Sequence, residues 1–279
     1  MFSMSKVAII VLHFGDKKNT IECLDSLKKL NYDHKKIKTI VVDNSKKNLG
    51  FAGGINKGLK IGLKDKSINF FLVLNNDTIV DQNLLTSFFS QIKKDSADIL
   101  GCIISYFLEP KKIWFAGGYL NKTFCFTKHP YLNKPLTSNI QLPKSDFITG
   151  ACMFMRREVL EKIGLFDENY FLYWEDVDFC YRAVKAKFKI LCLDQPLVYH
   201  KVSSSAGTEG SNKLSNLRAY YYARNAFIFM KKHNLPMLTG IFGQFFIRLP
   251  YYLSTVVSLE SAKQYLKGVK DGTKYYFSS

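Results

Sequence analysis

Three continuous apolar runs, each closed by a polar cluster and separated by a helix-length stretch, constrain this chain more than any other feature. Residues 7–12 (Val-Ala-Ile-Ile-Val-Leu) read as a strand covered on both faces. Asn19 or Thr20 is placed to cap a helix whose apolar side carries Ile21, Leu24, Leu27 and Leu30. Residues 37–42 predict a second strand, 51–64 a second helix, 70–74 a third strand and 84–92 a third helix. A β-α-β-α-β order implies parallel strands joined by right-handed crossovers. Ligands bind such sheets beyond the carboxyl ends of the strands. Polar clusters stand at those ends: residues 13–16, 43–45 and 75–77.

The remainder is less regular. Residues 105–145 carry Gly117-Gly118 and four of the 7 prolines, which predicts short strands and loops arranged as a lid. Residues 147–155 read as extended and 156–164 as helical. A helix over 176–187 places Asp178 and Arg182 for an i,i+4 pair. Residues 190–193 and 197–199 read as two short strands. From about Leu214 the character changes. A Tyr-rich helix runs to Lys231-Lys232-His233, and 237–259 is apolar and aromatic but broken by Gln244, Arg248 and Pro250. A spanning helix needs about 20 apolar residues with few charges, and Arg248 argues against one. The flanking Lys231, Lys232, Lys263, Lys267 and Lys270 suit a membrane-surface or re-entrant segment. A helical pair packed on the preceding domain is the other reading. The expected organisation is one domain over 1–235 and an amphipathic, aromatic helical extension over 236–279.

With 279 residues, 47% hydrophobic and 23% charged, the chain can build its own core and is neither disordered nor fibrous. Its 40 Lys and Arg against 23 Asp and Glu give a net charge of +17, which points to anionic partners. No RNP, zinc or helix-turn-helix pattern accompanies that charge, so no nucleic-acid partner is expected. The six cysteines include no CxxC pair and read as buried thiols of a reducing compartment. The short apolar run after the first residues suits a strand better than a signal peptide, so a cytoplasmic location is expected.

Residues 43–58 join a strand end to a helix through small residues, as backbone approaching an anionic ligand requires, but contain neither a Walker loop nor GxGxxG. Asn75-Asn76-Asp77 at a strand end can hold a hard divalent cation that also touches diphosphate oxygens. Asn and Asp serve loop turns equally well. Glu175, Asp176 and Asp178 crowd a helix start beside Tyr170, Phe171, Tyr173 and Trp174. Capping accounts for one of these acids; aromatic faces plus carboxylates are what a sugar site needs. His200 closes an apolar strand, as a structural imidazole or as a metal ligand near Asp77.

Taken in order, the opening strand, Asp43-Asn44, residues 48–58, Asn75-Asn76-Asp77, residues 150–153, residues 164–168 and residues 174–178 resemble the family 2 inverting glycosyltransferases, especially their rhamnosyltransferase-like and galactofuranosyltransferase-like branch. The resemblance covers about 6–235. It implies a GT-A-type α/β fold, a mostly parallel central sheet flanked by helices with a C-terminal helical extension. It implies donor-binding residues His13, Phe14, Asp43, Asn44, Gly50, Asn56 and Asn76, with Phe14 packing on the nucleotide base and Asp43 hydrogen-bonding it. It assigns Asn76 and Asp77 to ribose and metal, Asp176 to the catalytic base, and His200 to the metal. Tyr173, Trp174 and Glu175 fall on the acceptor side. Asn75 departs from the usual acid of the DxD-type motif, which leaves fewer charges for the cation.

These implications describe a hexosyltransferase that uses Mg²⁺ or Mn²⁺. A dTDP- or UDP-sugar, rhamnose leading, would be the donor. The acceptor would be a glycan or polyprenyl-linked sugar in polysaccharide synthesis, at the inner membrane face. Two rivals are a sugar-phosphate nucleotidyltransferase and a basic nucleic-acid-binding protein. The first usually opens with a Gly-rich basic loop after strand one, where this chain has His13-Phe14-Gly15-Asp16.

Overall fold

The computed structural model describes residues 5–137, 140, 142, 144–202, 215–254 and 258–278. Leu214, the expected start of the tail, lies outside them. In chain order the elements are β1 (Lys6–His13), α1 (Lys17–Leu27), β2 (Ile37–Asp43), α2 (Gly50–Leu63), β3 (Ile68–Asn75), β4 (Thr78–Val80), α3 (Leu84–Asp95), β5 (Ile99–Tyr106), β6 (Ile113–Phe115), β7 (Tyr119–Asn121) and β8 (Phe126–Lys128). Then follow β9 (Cys152–Arg156), α4 (Arg157–Ile163), α5 (Glu175–Lys185), β10 (Ile190–His200), α6 (Asn216–Lys232), α7 (Met237–Phe242), α8 (Leu249–Ser254) and α9 (Leu259–Phe277).

The main sheet runs β2-β1-β3-β9-β5-β10-β4, with β6 beside β5. Its first three strands pair in parallel with β1 in the middle, as their apolar runs require, and β1 is buried throughout residues 7–12. β5 and β10 are also parallel, whereas β9 runs antiparallel between β3 and β5. The expected strands 190–193 and 197–199 are one strand, irregular in register between Leu193 and Val198 where Pro196 interrupts the ladder. The expected extended run 147–155 narrows to β9, because the chain turns at Gly150 and Ala151. Residues 105–145 make β6 and the small β7–β8 hairpin sheet.

The first helix starts earlier than expected. Asp16, not Asn19 or Thr20, is its cap, its carboxylate accepting from Lys18 N at 2.8 Å. This shift turns Ile21 outward to 50% exposure and turns Thr20 inward to 6%. All six cysteines are buried and unpaired.

After α6 the chain forms α7, a π-helical turn at Gly243–Arg248, and α8. α9 then lies along α6. Gly268 and Gly272 allow the close approach, since a Cβ on Gly268 would sit 2.3 Å from Tyr220 O. Tyr265 and Val269 are buried in this seam. Among the described residues, no helix is long and apolar enough to cross a membrane.

Candidate active site

A cavity of about 300 Å³ opens beyond the carboxyl ends of β1, β3 and β10. β1 delivers Phe14, the loop after β2 delivers Asn44, and the loop after β3 delivers Asn76 and Asp77. The start of α2 supplies Gly50, the end of β10 supplies His200, and the turn into α5 supplies Tyr173, Trp174, Glu175 and Asp176.

The residues expected on the donor side are tied down by hydrogen bonds. Asn76 Nδ2 donates to Phe14 O at 3.1 Å and to Thr20 Oγ1 at 2.9 Å. Asn44 staples its own loop, accepting from Leu49 N at 2.9 Å and donating to Gly50 O at 3.0 Å. Gly50 has a φ of +71°, and a Cβ there would lie 2.2 Å from Phe171 O, so only glycine fits. Phe51 N donates to that same carbonyl at 2.6 Å.

Three expected donor residues do not line this cavity. Asn56 points into the α2 interface, donating to Phe166 O at 2.8 Å and Glu168 Oε1 at 2.9 Å and accepting from Phe166 N at 3.0 Å. Its amide anchors the segment before α5. His13 pairs through Nδ1 with Thr20 Oγ1 at 2.7 Å. Asp43 is exposed at the end of β2, and Ser45 hydrogen-bonds its carboxylate through Oγ at 2.5 Å and N at 2.9 Å. Those bonds hold its pKa below the usual carboxylate value.

Asp77 and His200 meet across the pocket floor with Oδ1 and Nε2 2.9 Å apart, both buried. His200 Nδ1 is buried without a hydrogen-bond partner among the described residues. The Trp114 ring packs on the imidazole at 4.3 Å between centroids. One hard oxygen donor and one imidazole fit a divalent cation that completes its coordination on phosphate oxygens. Among the described residues no group of three or more His, Cys, Asp or Glu forms a self-sufficient cage.

The opposite wall is strained. Phe171, Tyr173 and Trp174 have φ of 60°, 65° and 76°, rare for side-chain-bearing residues and typical of functional turns. The buried Asn225 of α6 holds this turn, its Nδ2 lying 2.8 Å from each of the carbonyls of Tyr170, Leu172 and Tyr173. Trp174 Nε1 donates to Tyr222 O at 3.2 Å. The turn places Glu175 and Asp176 in the cavity wall. Burial pushes the Asp176 pKa up to about 6, even though Gly150 N at 3.1 Å and Val177 N at 2.8 Å donate to its carboxylate. Glu175 is raised further, by burial and then by the Asp176 charge, and its Oε2 has no partner among the described residues.

Asp178, the third acid of the cluster, is structural. It is fully buried and meets Arg182 at 2.8 Å, Lys232 at 3.0 Å and His233 at 2.8 Å. Burial raises its pKa, but His233, Arg182 and Lys232 outweigh that and leave it at about 2. Sequence reasoning did not single out Trp114, His129, Arg218 and Tyr222, which complete the cavity. Trp114 is one of only 2 tryptophans, and Arg218 precedes a run of tyrosines; these were the available signals.

The chain that builds this cavity is similar to several known proteins. The hexosyltransferase Agl10 of Haloferax volcanii, of low-salt glycan biosynthesis, is 24% identical over 151 residues, 51% of this chain and 46% of that protein. The dTDP-rhamnosyl transferase RfbF of Shigella flexneri is 23% identical over 201 residues, 69% of this chain and 65% of its own. The chain therefore spans less than two thirds of either relative. The mannosyltransferase PcManGT from Pyrobaculum calidifontis, solved with GDP-Man and Mn²⁺, shares the fold: TM-score 0.56 at 11% identity, over 98% of this chain and 83% of that one. The fold is of the GT-A type. The family described as glycosyltransferase like family 2 matches residues 2–220, well over half of the chain, and the chain belongs to that family.

Proposed function

We propose that this protein is an inverting glycosyltransferase. It moves a hexose, rhamnose leading, from a dTDP- or UDP-sugar to a hydroxyl of a glycan or polyprenyl-linked acceptor in cell-surface polysaccharide synthesis. The observation that carries the reading is Asp176, a carboxylate with its pKa raised to about 6, in one cavity with Asp77 and His200. Asp176 takes the acceptor hydroxyl proton as that oxygen bonds to the anomeric carbon. The bond from that carbon to the diphosphate oxygen breaks in the same displacement, which inverts the configuration. One carboxylate suffices, whereas a double displacement needs a nucleophile as well. Near pH 7 a base of this pKa is mostly ionised, yet accepts a proton more readily than an ordinary carboxylate. Tyr173, Trp174 and Glu175 shape the acceptor side, and Phe14 lies where a nucleotide base can pack. Asp77 and His200 would hold Mg²⁺ or Mn²⁺, and such a cation offsets the charge growing on the departing diphosphate.

The same reading sets the enzyme against the inner face of the membrane. Lys263, Lys267, Lys270 and Lys274 recur at helical spacing on α9 and are exposed. Leu238, Phe246, Leu259 and Phe277 add exposed apolar surface in this extension. Each lysine contributes about 1 kcal/mol at an anionic surface. Co-sedimentation with anionic but not neutral vesicles, weakened by salt, is the expected result; indifference to both refutes the contact.

The deciding experiment is a nucleotide-sugar screen with Mn²⁺, with anomeric configuration read by NMR. One donor consumed with inversion is expected. Retention of configuration, or no turnover and no binding across the set, overturns the reading.

A further inference from the structure

Arg218, in the first turn of α6, lines the cavity. Its guanidinium lies over the Tyr173 ring at 5.9 Å and the Tyr222 ring at 5.3 Å, and the Tyr222 side chain hydrogen-bonds it. Its Nε is buried and has no hydrogen-bond partner among the described residues. No carboxylate of the described residues pairs with it. Behind it, Arg248 lies over Tyr252 at 4.7 Å and Phe126 at 5.6 Å, again without an acid partner among the described residues. His129 lies between the rings of Phe115 and Phe147 at 5.4 and 5.6 Å. Its pKa is depressed to about 4, by burial first and then by Arg218 and Arg248, so it adds no charge at neutral pH.

A guanidinium held in an aromatic frame, with a buried N–H directed to no protein acceptor, is a preorganised oxyanion site. The phosphates of the donor would be met elsewhere, by Asp77 and His200 through their cation. Arg218 stands on the other wall, stacked on Tyr173 just ahead of Asp176. Leu132 and Leu217 line the same cavity, and Leu217 is 44% exposed. We propose that Arg218 binds a phosphoryl group carried by the acceptor, so that the enzyme selects an alkyl-diphosphate-linked sugar over a neutral glycan. This rests on the glycosyltransferase reading only for the word acceptor; the oxyanion site itself does not.

Farnesyl diphosphate is the probe and farnesol its neutral match, each titrated calorimetrically into the full chain without metal. The diphosphate should bind measurably more tightly than the alcohol. Arg218→Gln should weaken diphosphate binding on the order of 10- to 100-fold, the range of a charge-assisted hydrogen bond, and leave farnesol unchanged. Arg218→Lys, which keeps charge but loses the planar fork, should fall between, and it serves if the first variant does not fold. UDP with Mn²⁺ should still bind both variants and should not displace farnesyl diphosphate. Equal affinity for diphosphate and alcohol, an unaffected Arg218→Gln, or displacement by UDP overturns the proposal, the last by assigning Arg218 to the donor. Loss of nucleotide binding with Arg218-dependent diphosphate binding intact would refute the glycosyltransferase reading alone.

Discussion

The two walls of the cavity are built on opposite principles. On the strand-end wall, Asn44, Asn76 and Thr20 all have partners within the protein, and His200 Nδ1 is left over. On the wall formed by the turn into α5 and by α6, Glu175 Oε2 and Arg218 Nε lack partners among the described residues, and three residues hold positive φ. The first wall is mostly a frame, with Val202 after β10 holding a φ of 50°, and the second gathers three residues of positive φ and two unpartnered polar atoms. The contrast teaches that the polar groups left for a ligand to complete are gathered mostly on one side of the cavity. Buried polar atoms without partners cost stability, so they remain where a substrate completes them.

Breaking the reactive wall should have the largest effect. Asp176→Asn should lower turnover on the order of 10²–10⁴-fold in a product-release assay, with nucleotide affinity nearly unchanged. The same variant should melt higher than the wild type above pH 6. A carboxyl whose folded pKa is raised contributes most while protonated, and loses that contribution as pH climbs through about 6. Wild-type turnover would make Asp176 a helix-start acid and nothing more.

Damage to the frame should appear in binding rather than chemistry. Asp77→Ala should weaken Mn²⁺-dependent nucleotide binding on the order of 10- to 100-fold in titration calorimetry. Chelation of the wild type should remove activity and added Mn²⁺ restore it. Full activity in verified chelator would detach Asp77 and His200 from any cation.

The strut inside the second wall should register as stability. Asn225→Ala leaves three turn carbonyls without their donor and should cost about 2–3 kcal/mol, read as a lower denaturant midpoint. An unchanged midpoint would mean that the turn keeps its shape unaided.

The smallest effects come from pH. The acid limb of kcat/KM should fall with a midpoint near 6, the value of Asp176. Asp178 has the opposite sign. Its pKa of about 2 lies below the unfolded value, so its contribution is present above about 4 and is lost as pH falls towards 2. Acid unfolding of Asp178→Asn should lose that component.

The frame was legible in the sequence because its strands are unbroken apolar runs, and such runs leave their polar residues only at the ends. Asp77 and His200 stand out for that reason, and Asp176 because three acids crowd a helix start beside aromatic residues. Asn56 was misplaced because an amide amid small helical residues looks the same whether it faces a ligand or Phe166, and only the packing of α2 decides. The first cap was misplaced because Asp16, Asn19 and Thr20 all cap well, and the burial of Thr20 against His13 and Asn76 selects among them. The direction of β9 carries no local signal, since a buried strand reads alike in either sense. Asn225 has no local signal for a related reason: the carbonyls it holds, like the Tyr173 ring beside Arg218, lie about 50 residues earlier, in a turn whose strain appears only once folded.

The glycine seam between α6 and α9 has a mechanical consequence. Without Cβ atoms at Gly268 and Gly272, no side-chain cushion separates the two backbones, and the pair is built as one bar. α6 has 17 residues, and one end of it holds Arg218 in the cavity. At 1.5 Å per residue the bar is roughly 25 Å long, so tilting it by about 5° swings an end by about 2 Å, enough to break a hydrogen bond. Whatever grips α9 from outside therefore has leverage on the cavity wall.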